Sequence, residues 1–251
     1  MMFIMHTYTP SKKYLNKKTI LITGAGDGIG KQAALHYGQY GATVILLGKT
    51  VTKLESVYDE IIKNGGNEPA IVPLDLKGAT AKHYIDMTST ITDQFGSLDG
   101  LLHNASVLGH LGPFAQISEQ DWQNVFQVNV TSQFLMTQAL LPALKKAPQS
   151  SVIFTTSSVG LKGKAYWGPY SISKFATQGM MQILADEYEN STIRFNCINP
   201  GATKTAMRAK AFPAENSDHL KTPEEIMSLY LYLMDNDTSK ETGQTFDAQP
   251  Q

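Results

Sequence analysis

A chain of 251 residues that is 42% apolar and 17% charged is long enough to bury the core of one α/β domain and calls for no second one. Its net charge of −1 gives no basic field for nucleic acid, and no apolar run is long enough to span a bilayer, so neither nucleic acid nor membrane is an expected partner. A single cysteine, Cys197, excludes an intrachain disulfide and a thiolate metal cluster and fits a cytoplasmic protein; no metal site is expected.

In chain order, MMFIMHTYTPSKK is apolar for only five residues and shows neither a leading basic segment nor a cleavage pattern, so 1–16 reads as a ragged N-terminal extension. KTILIT (18–23) predicts a strand, 24–30 a glycine turn and 29–41 a helix. ATVILLG (42–48) predicts a second strand, 51–64 an amphipathic helix, PAIVPLDL (69–76) a third strand and 80–95 a helix. LDGLLHNA (98–105), SSVIFTTS (150–157) and STIRFNCIN (191–199) supply a fourth, fifth and sixth strand. A helix is expected near 223–235, and TGQTFDA (242–248) offers a last strand. Continuous Val/Ile/Leu runs alternating with helices indicate a parallel sheet covered on both faces. The expected fold is α/β: a single doubly wound Rossmann-type domain over 1–251, with a central parallel sheet flanked by helices. Its least regular stretch, 201–223, has the length of a substrate lid within that domain.

The first strand runs into TGAGDGIG, with Thr23 followed by Gly24, Gly28 and Gly30. Composition would produce Thr-Gly-x-x-x-Gly-x-Gly about 0.01 times in a chain of this make-up. Glycines allow the tight strand-to-helix turn and let a pyrophosphate approach backbone N–H groups at a helix N-terminus. Ile29 breaks the G-x-G-x-x-G spacing, and Gln32 stands where a nucleotide-triphosphate loop needs Ser or Thr. Asp27 places a carboxylate beside the expected phosphates, so it must turn outward or cap the helix. After the second strand LLGKT offers no acid for the ribose hydroxyls of NAD, whereas Lys49 can pair with a 2′-phosphate; NADP(H) is the expected cofactor, with NAD(H) as the alternative.

Tyr-x-x-x-Lys occurs at Tyr8/Lys12, Tyr14/Lys18 and Tyr170/Lys174, and composition predicts roughly one such match. Surroundings decide among them. With the phosphate turn ahead of it, and with DGLLHNA, SKFATQGMMQ, NCINPG and TFDAQP along its length, the chain resembles the short-chain dehydrogenase/reductase family, and within it the bacterial YciK-like oxidoreductases. The resemblance implies a cofactor site at Thr23, Gly24, Gly28, Ile29 and Gly30, an adenine contact at Asp75 with Leu76 beside it, and the turn Asn104-Ala105. His103 and Ser106 depart from the family's Asn-Asn-Ala-Gly at that turn, Ser106 adding a side chain where bare backbone usually approaches the cofactor. It further implies catalytic Asn129, Ser157, Tyr170 and Lys174, the last two also contacting the cofactor, and a nicotinamide-side segment of Pro200, Gly201, Thr203 and Thr205.

In that reading Tyr170 is the general acid of carbonyl reduction and the base of alcohol oxidation, its phenol pKa lowered by the Lys174 ammonium and the nicotinamide's positive charge; Ser157 holds the substrate oxygen and Asn129 anchors a relay water. The expected function is an NADP-dependent oxidoreductase acting on a small carbonyl or alcohol. The alternative is a dinucleotide-binding sensor or scaffold with little turnover. A serine hydrolase lacks its G-x-S-x-G elbow, Thr155 standing before Thr156 and Ser157. Pocket edges are expected at 107–114, 161–167 and the lid, where Arg208 or Lys210 can meet an anionic tail. Excess apolar positions at Phe175, Ala176, Gly179, Met180, Ile183 and Leu184 predict a homodimer or homotetramer.

Overall fold

The computed structural model describes residues 8–250. Its strands are β1 (Thr19–Thr23), β2 (Thr43–Gly48), β3 (Ala70–Pro73), β4 (Gly100–His103), β5 (Ser150–Thr155), β6 (Ile193–Asn199) and β7 (Thr245–Asp247). They form one sheet in the order β3-β2-β1-β4-β5-β6-β7, and every pairing is parallel. Helices α1 (Gly28–Gln39), α2 (Val51–Lys63), α3 (Ala81–Phe95), α4 (Glu119–Phe126), α5 (Ser132–Lys146), α6 (Gly168–Glu187), α7 (Ala206–Ala211) and α8 (Met227–Met234) connect them. The doubly wound sheet is the one the sequence predicts. The segment 106–149, which the apolar pattern left without elements, holds α4 and α5, joined by a π-helical turn at Gln127–Thr131.

Strand residues alternate between two cores because successive side chains leave a strand on opposite faces. Ile20 and Ile22 join Leu46, Tyr37 and α8 on one face. Leu21 joins Ile45, Leu47, Leu101 and Phe154 under α3, α5 and α6 on the other. Both faces are therefore apolar, which is why the strands read as unbroken hydrophobic runs. Cys197 is fully buried in the second core, and burial pushes its thiol up to about 12; it is packing, not a nucleophile.

Of the N-terminal extension, residues 1–7 lie outside the described residues. Tyr14 donates to the Leu231 carbonyl at 3.0 Å, the Tyr8 hydroxyl bonds Asp235, and the Tyr8 and Tyr232 rings meet edge to face at 5.4 Å. The Tyr8/Lys12 and Tyr14/Lys18 pairs thus belong to the packing beside α8. Among the described residues no helix is long and apolar enough to cross a membrane, and no cluster of His, Cys, Asp or Glu can hold a metal ion.

Candidate active site

A cleft opens at the carboxyl ends of the strands, where a parallel sheet directs its helix N-termini. Its first half is sewn together by Thr23. The Thr23 hydroxyl accepts the backbone N–H groups of Asn104 and Ala105, both at 3.0 Å, and the Asn104 amide donates back to the Thr23 carbonyl at 3.3 Å. Gly24 follows at φ +68°, and a Cβ there would stand 3.1 Å from the Ala105 Cα. At Gly30 a Cβ would lie 2.3 Å from the Gly24 carbonyl oxygen and 2.6 Å from the Asn104 amide nitrogen. Only glycine lets α1 close on the turn.

Asp27 caps α1, accepting the Gly28 N–H at 2.7 Å, and pairs with Lys53. The Lys53 ammonium holds its carboxyl below the usual range, opposed by burial and helped by the Gly28 N–H. The first intrahelical bond runs from the Lys31 N–H to the Asp27 carbonyl. The Ile29 and Gly30 N–H groups precede it and are free for an anion.

Farther along, the cleft holds about 1050 Å³ and is lined by Gly24, Gly48, Lys49, Asp75 and Leu76, and by Ser106 to Leu111. Lys53 is committed to Asp27, whereas Lys49 makes no ion pair among the described residues. Asp75 accepts the Lys77 N–H at 3.0 Å and lines the cleft.

The second half, about 340 Å³, brings together Gly28, Ile29, Asn104, Ser157, Tyr170, Lys174, Pro200, Gly201, Thr203 and Thr205. Ser157 precedes a 3-10 turn at Ser158–Gly160 that packs on α6: a Cβ at Gly160 would stand 2.6 Å from the Lys174 Cβ. That close approach explains why a glycine three residues after the serine accompanies the tyrosine and lysine. Tyr170 and Lys174, one turn apart on α6, share its face. Lys174 is 1% exposed and donates to the Thr155 carbonyl at 2.7 Å. Burial lowers its pKa to about 8, a nearby Cys197 opposing weakly.

Lys174 and Tyr170 lie close together in the cleft. Burial pushes the Tyr170 phenol up to about 12, with Ser106 and then Ser157 pulling it the other way. The lysine ammonium is occupied by Thr155 and lies 5.5 Å from the phenol ring centroid. At that distance a protonated lysine still favours the phenolate.

Asn129 sits in the π-helical turn, and all its side-chain bonds are internal. Its oxygen accepts the Val107 N–H at 2.8 Å; its amide donates to the Val107 carbonyl at 3.0 Å and to Ser173 at 3.1 Å. It fixes the chain after Ser106. Thr203 donates to the Pro200 carbonyl at 3.1 Å, and Thr205 caps α7 by accepting the Arg208 N–H. Gln249, given no role by the sequence, donates to the Pro200 and Ala202 carbonyls and to Thr203, so the C-terminal segment clamps this turn. His103 is buried, stacked on Phe154 at 4.8 Å and bonded to Thr137, and burial lowers its pKa to about 3.

The wall beyond Tyr170 is apolar. Trp167 lies between Tyr170 and Phe212, its centroid 5.9 Å and 5.7 Å from theirs, with Leu108 and Met207 alongside. Arg208 forms a two-pronged pair with Glu215 at 2.5 and 2.6 Å and covers the Phe212 ring at 3.7 Å. It is therefore not free to meet an anionic tail; Lys210 reaches the other half of the cleft.

Residues 18–216 match the family model of short chain dehydrogenases. The chain belongs to that family. It is 52% identical over 246 residues, 98% of this chain and 97% of the other, to the uncharacterized oxidoreductase YciK of Escherichia coli K12. The cyclohexanol dehydrogenase of Acinetobacter sp. SE19 is 31% identical, with 92% and 93% covered. A short chain dehydrogenase from Escherichia coli CFT073, solved as a complex with NADPH, superposes with a TM-score of 0.93 at 52% identity, covering 96% of this chain and 100% of that one. This short-chain dehydrogenase is accordingly an oxidoreductase of a family that uses NAD(P)(H), and its YciK-like character agrees with the motifs.

Proposed function

We propose that this short-chain dehydrogenase transfers a hydride between NADP(H) and a small carbonyl or alcohol, with Tyr170 as general acid and base. The observation that carries it is the convergence of Tyr170, Ser157 and Lys174 on the cleft that also holds the glycine turn. The residues fit a dinucleotide: the bare backbone of Gly24 and Gly28 lines the cleft, and the N–H groups of Ile29 and Gly30 precede the first intrahelical bond of α1. Ile29 and Gly30 bind pyrophosphate, Asp75 and Leu76 flank the adenine, Asn104 and Ala105 border the cofactor path, and Pro200, Gly201, Thr203 and Thr205 hold the nicotinamide end. Lys49 supplies the cation for a 2′-phosphate, in keeping with the NADPH complex of a relative. When bound, the cofactor supplies or accepts the hydride.

The chain's own groups handle the proton. Ser157 donates to the substrate oxygen, Tyr170 gives its hydroxyl proton to that oxygen in reduction and takes it back in oxidation, and Lys174 orders the Thr155 end of β5 beside them. Asn129 acts by holding the Val107 backbone. Trp167, Met207, Phe212 and Leu108 exclude water and favour an apolar or aromatic carbonyl, with 201–223 as the lid over it. The chain pairs with a second copy through the face bearing Phe134, Ile172, Phe175 and Ile183, all exposed; light scattering at micromolar concentration should give at least twice the 27.5 kDa chain mass. With one cysteine and so no intrachain disulfide, the proposed location is the reducing cytoplasm.

The deciding experiment follows NADPH oxidation across a library of aliphatic, cyclic and aromatic aldehydes and ketones. Turnover of an apolar member is expected. Tight NADPH binding with no turnover across the library would make the chain a dinucleotide-binding sensor.

A further inference from the structure

The turn after β6, Pro200 to Thr203, has a permissive point within it. Gly201 stands there at φ +71°, and a glycine passes between backbone regions at little cost, so its own sterics do not fix the turn. What fixes it comes from the far end of the chain. Past the β6 and β7 pairing the two segments stay in register: the Asn199 amide donates to Asp247 at 2.7 Å, and the Asn199 carbonyl accepts the Ala248 N–H at 2.8 Å. That register delivers Gln249 beside Gly201, where a Cβ added to the glycine would stand 3.1 Å from the Gln249 Cβ. The Gln249 amide nitrogen then donates to the Pro200 carbonyl at 2.9 Å, the Ala202 carbonyl at 3.1 Å and the Thr203 hydroxyl at 3.2 Å. Its two hydrogens serve three acceptors, all on one turn.

We infer that Gln249 is a positioning residue for the nicotinamide half of the cofactor, acting from behind the turn that receives it. This rests on the dinucleotide reading of the cleft. Pro200, Gly201 and Thr203 line the cleft, whereas Gln249 is not one of the lining residues, so it works through their backbone and touches no ligand. With the Pro200 and Ala202 carbonyls drawn back onto Gln249, the peptide planes that follow those two residues are oriented before any ligand arrives. Without the donor these carbonyls need other partners, and rotation about Gly201 lets the turn seek them. The ordering of the turn then falls on the binding step and weakens it. The side chain must be a donor: a carboxylate of the same shape would set an oxygen against two carbonyl oxygens. The effect is confined to one half of the ligand, because the residues proposed for the adenosine end, Lys49, Asp75 and Leu76, follow β2 and β3 in the other half of the cleft.

Calorimetry with two probes tests this without any turnover. NADP⁺ reaches both halves of the cleft; adenosine 2′,5′-bisphosphate carries the adenosine end and its 2′-phosphate but no nicotinamide. Gln249→Met keeps the length of the side chain and removes the donor, and Gln249→Glu, measured at pH 8, keeps the shape and puts an oxygen in the donor's place. Gln249→Met should weaken NADP⁺ roughly tenfold, the scale of one or two lost hydrogen bonds, and Gln249→Glu should weaken it at least as much. Both variants should bind adenosine 2′,5′-bisphosphate as the unmodified chain does. If the Glu variant fails to fold, the Met variant alone decides. NADP⁺ bound as tightly by Gln249→Met as by the unmodified chain overturns the proposal, and so does an equal loss for both probes, which is what general loosening of the fold predicts. An unmodified chain that binds neither probe removes the dinucleotide reading and the role of Gln249 with it, a result distinct from failure of the Gln249 role alone.

Discussion

The two ends of the cleft are built to different standards of precision. At the phosphate end, backbone meets backbone: Gly24, Gly30, Thr23 and Asn104 leave no room for an added carbon. At the substrate end, the wall is made of side chains on long connections, with Trp167, Met207 and Phe212 tied by ring contacts and by the exposed Arg208 pair with Glu215. Gly163 there has open space around it, and Tyr166 sits at φ +72° with 65% of its surface exposed. A dinucleotide is the same molecule in every member of such a family, so its seat can be cut into the main chain. A substrate wall made of side chains can be changed without disturbing that seat.

The sharpest way to break this contrast is to add one methyl group to each end. Gly30→Ala forces a Cβ to within 2.3 Å of a carbonyl oxygen, and no rotamer can relieve a backbone clash. Overpacking of this kind costs about 1–3 kcal/mol of stability, so the Tm should fall, and NADPH affinity measured by calorimetry should fall with it as the phosphate turn shifts to relieve the clash. Gly163→Ala, in open space, should stay within about 0.5 kcal/mol of the unmodified protein. Equal effects at the two positions would remove the distinction.

Tyr170→Phe tests the junction where the two ends meet. It deletes one oxygen and leaves the ring against Trp167, so folding and NADPH affinity should survive while turnover drops by about 10²-fold or more. Stopped-flow NADPH oxidation with a substrate from the carbonyl screen measures it. Undiminished turnover would take the proton role from Tyr170.

How much of this was legible in the sequence follows the same division. The strand runs, the glycine turn and the positions of Ser157, Tyr170 and Lys174 could be read because each depends on local chain geometry or on a fixed spacing. Gly160 shows why such a spacing exists, since its missing Cβ is what admits Lys174. Three features were not legible. The helices of 106–149 were missed because the buried face of α5 carries polar Ser132, Gln133 and Thr137 among its apolar residues while Phe134 is exposed, which blurs the apolar stripe. Gln249 reaches the Pro200 turn from 49 residues away in the chain, and no local pattern announces a contact of that kind. That Lys174 donates to the Thr155 carbonyl depends on where β5 ends beside α6, which no spacing in the sequence states.

That buried lysine gives a pH signature. Its pKa is lowered from its ordinary 10.5 to about 8, so between those values the unfolded chain holds a proton that the folded chain does not. Stability from this group therefore rises with pH across that window, by up to about 1.4 kcal/mol per unit. Lys174→Met lacks the titration. Urea unfolding at pH 7.5 and 9.5 should show the unmodified protein gaining on the variant as pH rises, and a constant gap would mean that Lys174 keeps its proton when folded. Staying below pH 10 avoids the buried tyrosines, whose raised pKa values act in the opposite direction.

The smallest expected effect lies at the adenosine end, where precision gives way to charge. Lys53 would be the nearer competitor for a 2′-phosphate, but Asp27 holds it, which leaves Lys49 as the cation on the cleft wall after β2. An exposed charge pair is worth about 1 kcal/mol or less, and somewhat more with a doubly charged phosphate. NADPH should therefore bind roughly tenfold more tightly than NADH, and Lys49→Asp should erase or reverse that ratio by removing the cation and offering the ribose hydroxyls an acceptor. Asp27→Asn provides the internal control: it frees Lys53 without touching Lys49, so NADPH preference should persist or grow while the cap of α1 keeps its oxygen acceptor. Calorimetry of both cofactors on the three proteins decides it. Equal affinities in the unmodified chain would show that the 2′-phosphate is read elsewhere than at Lys49.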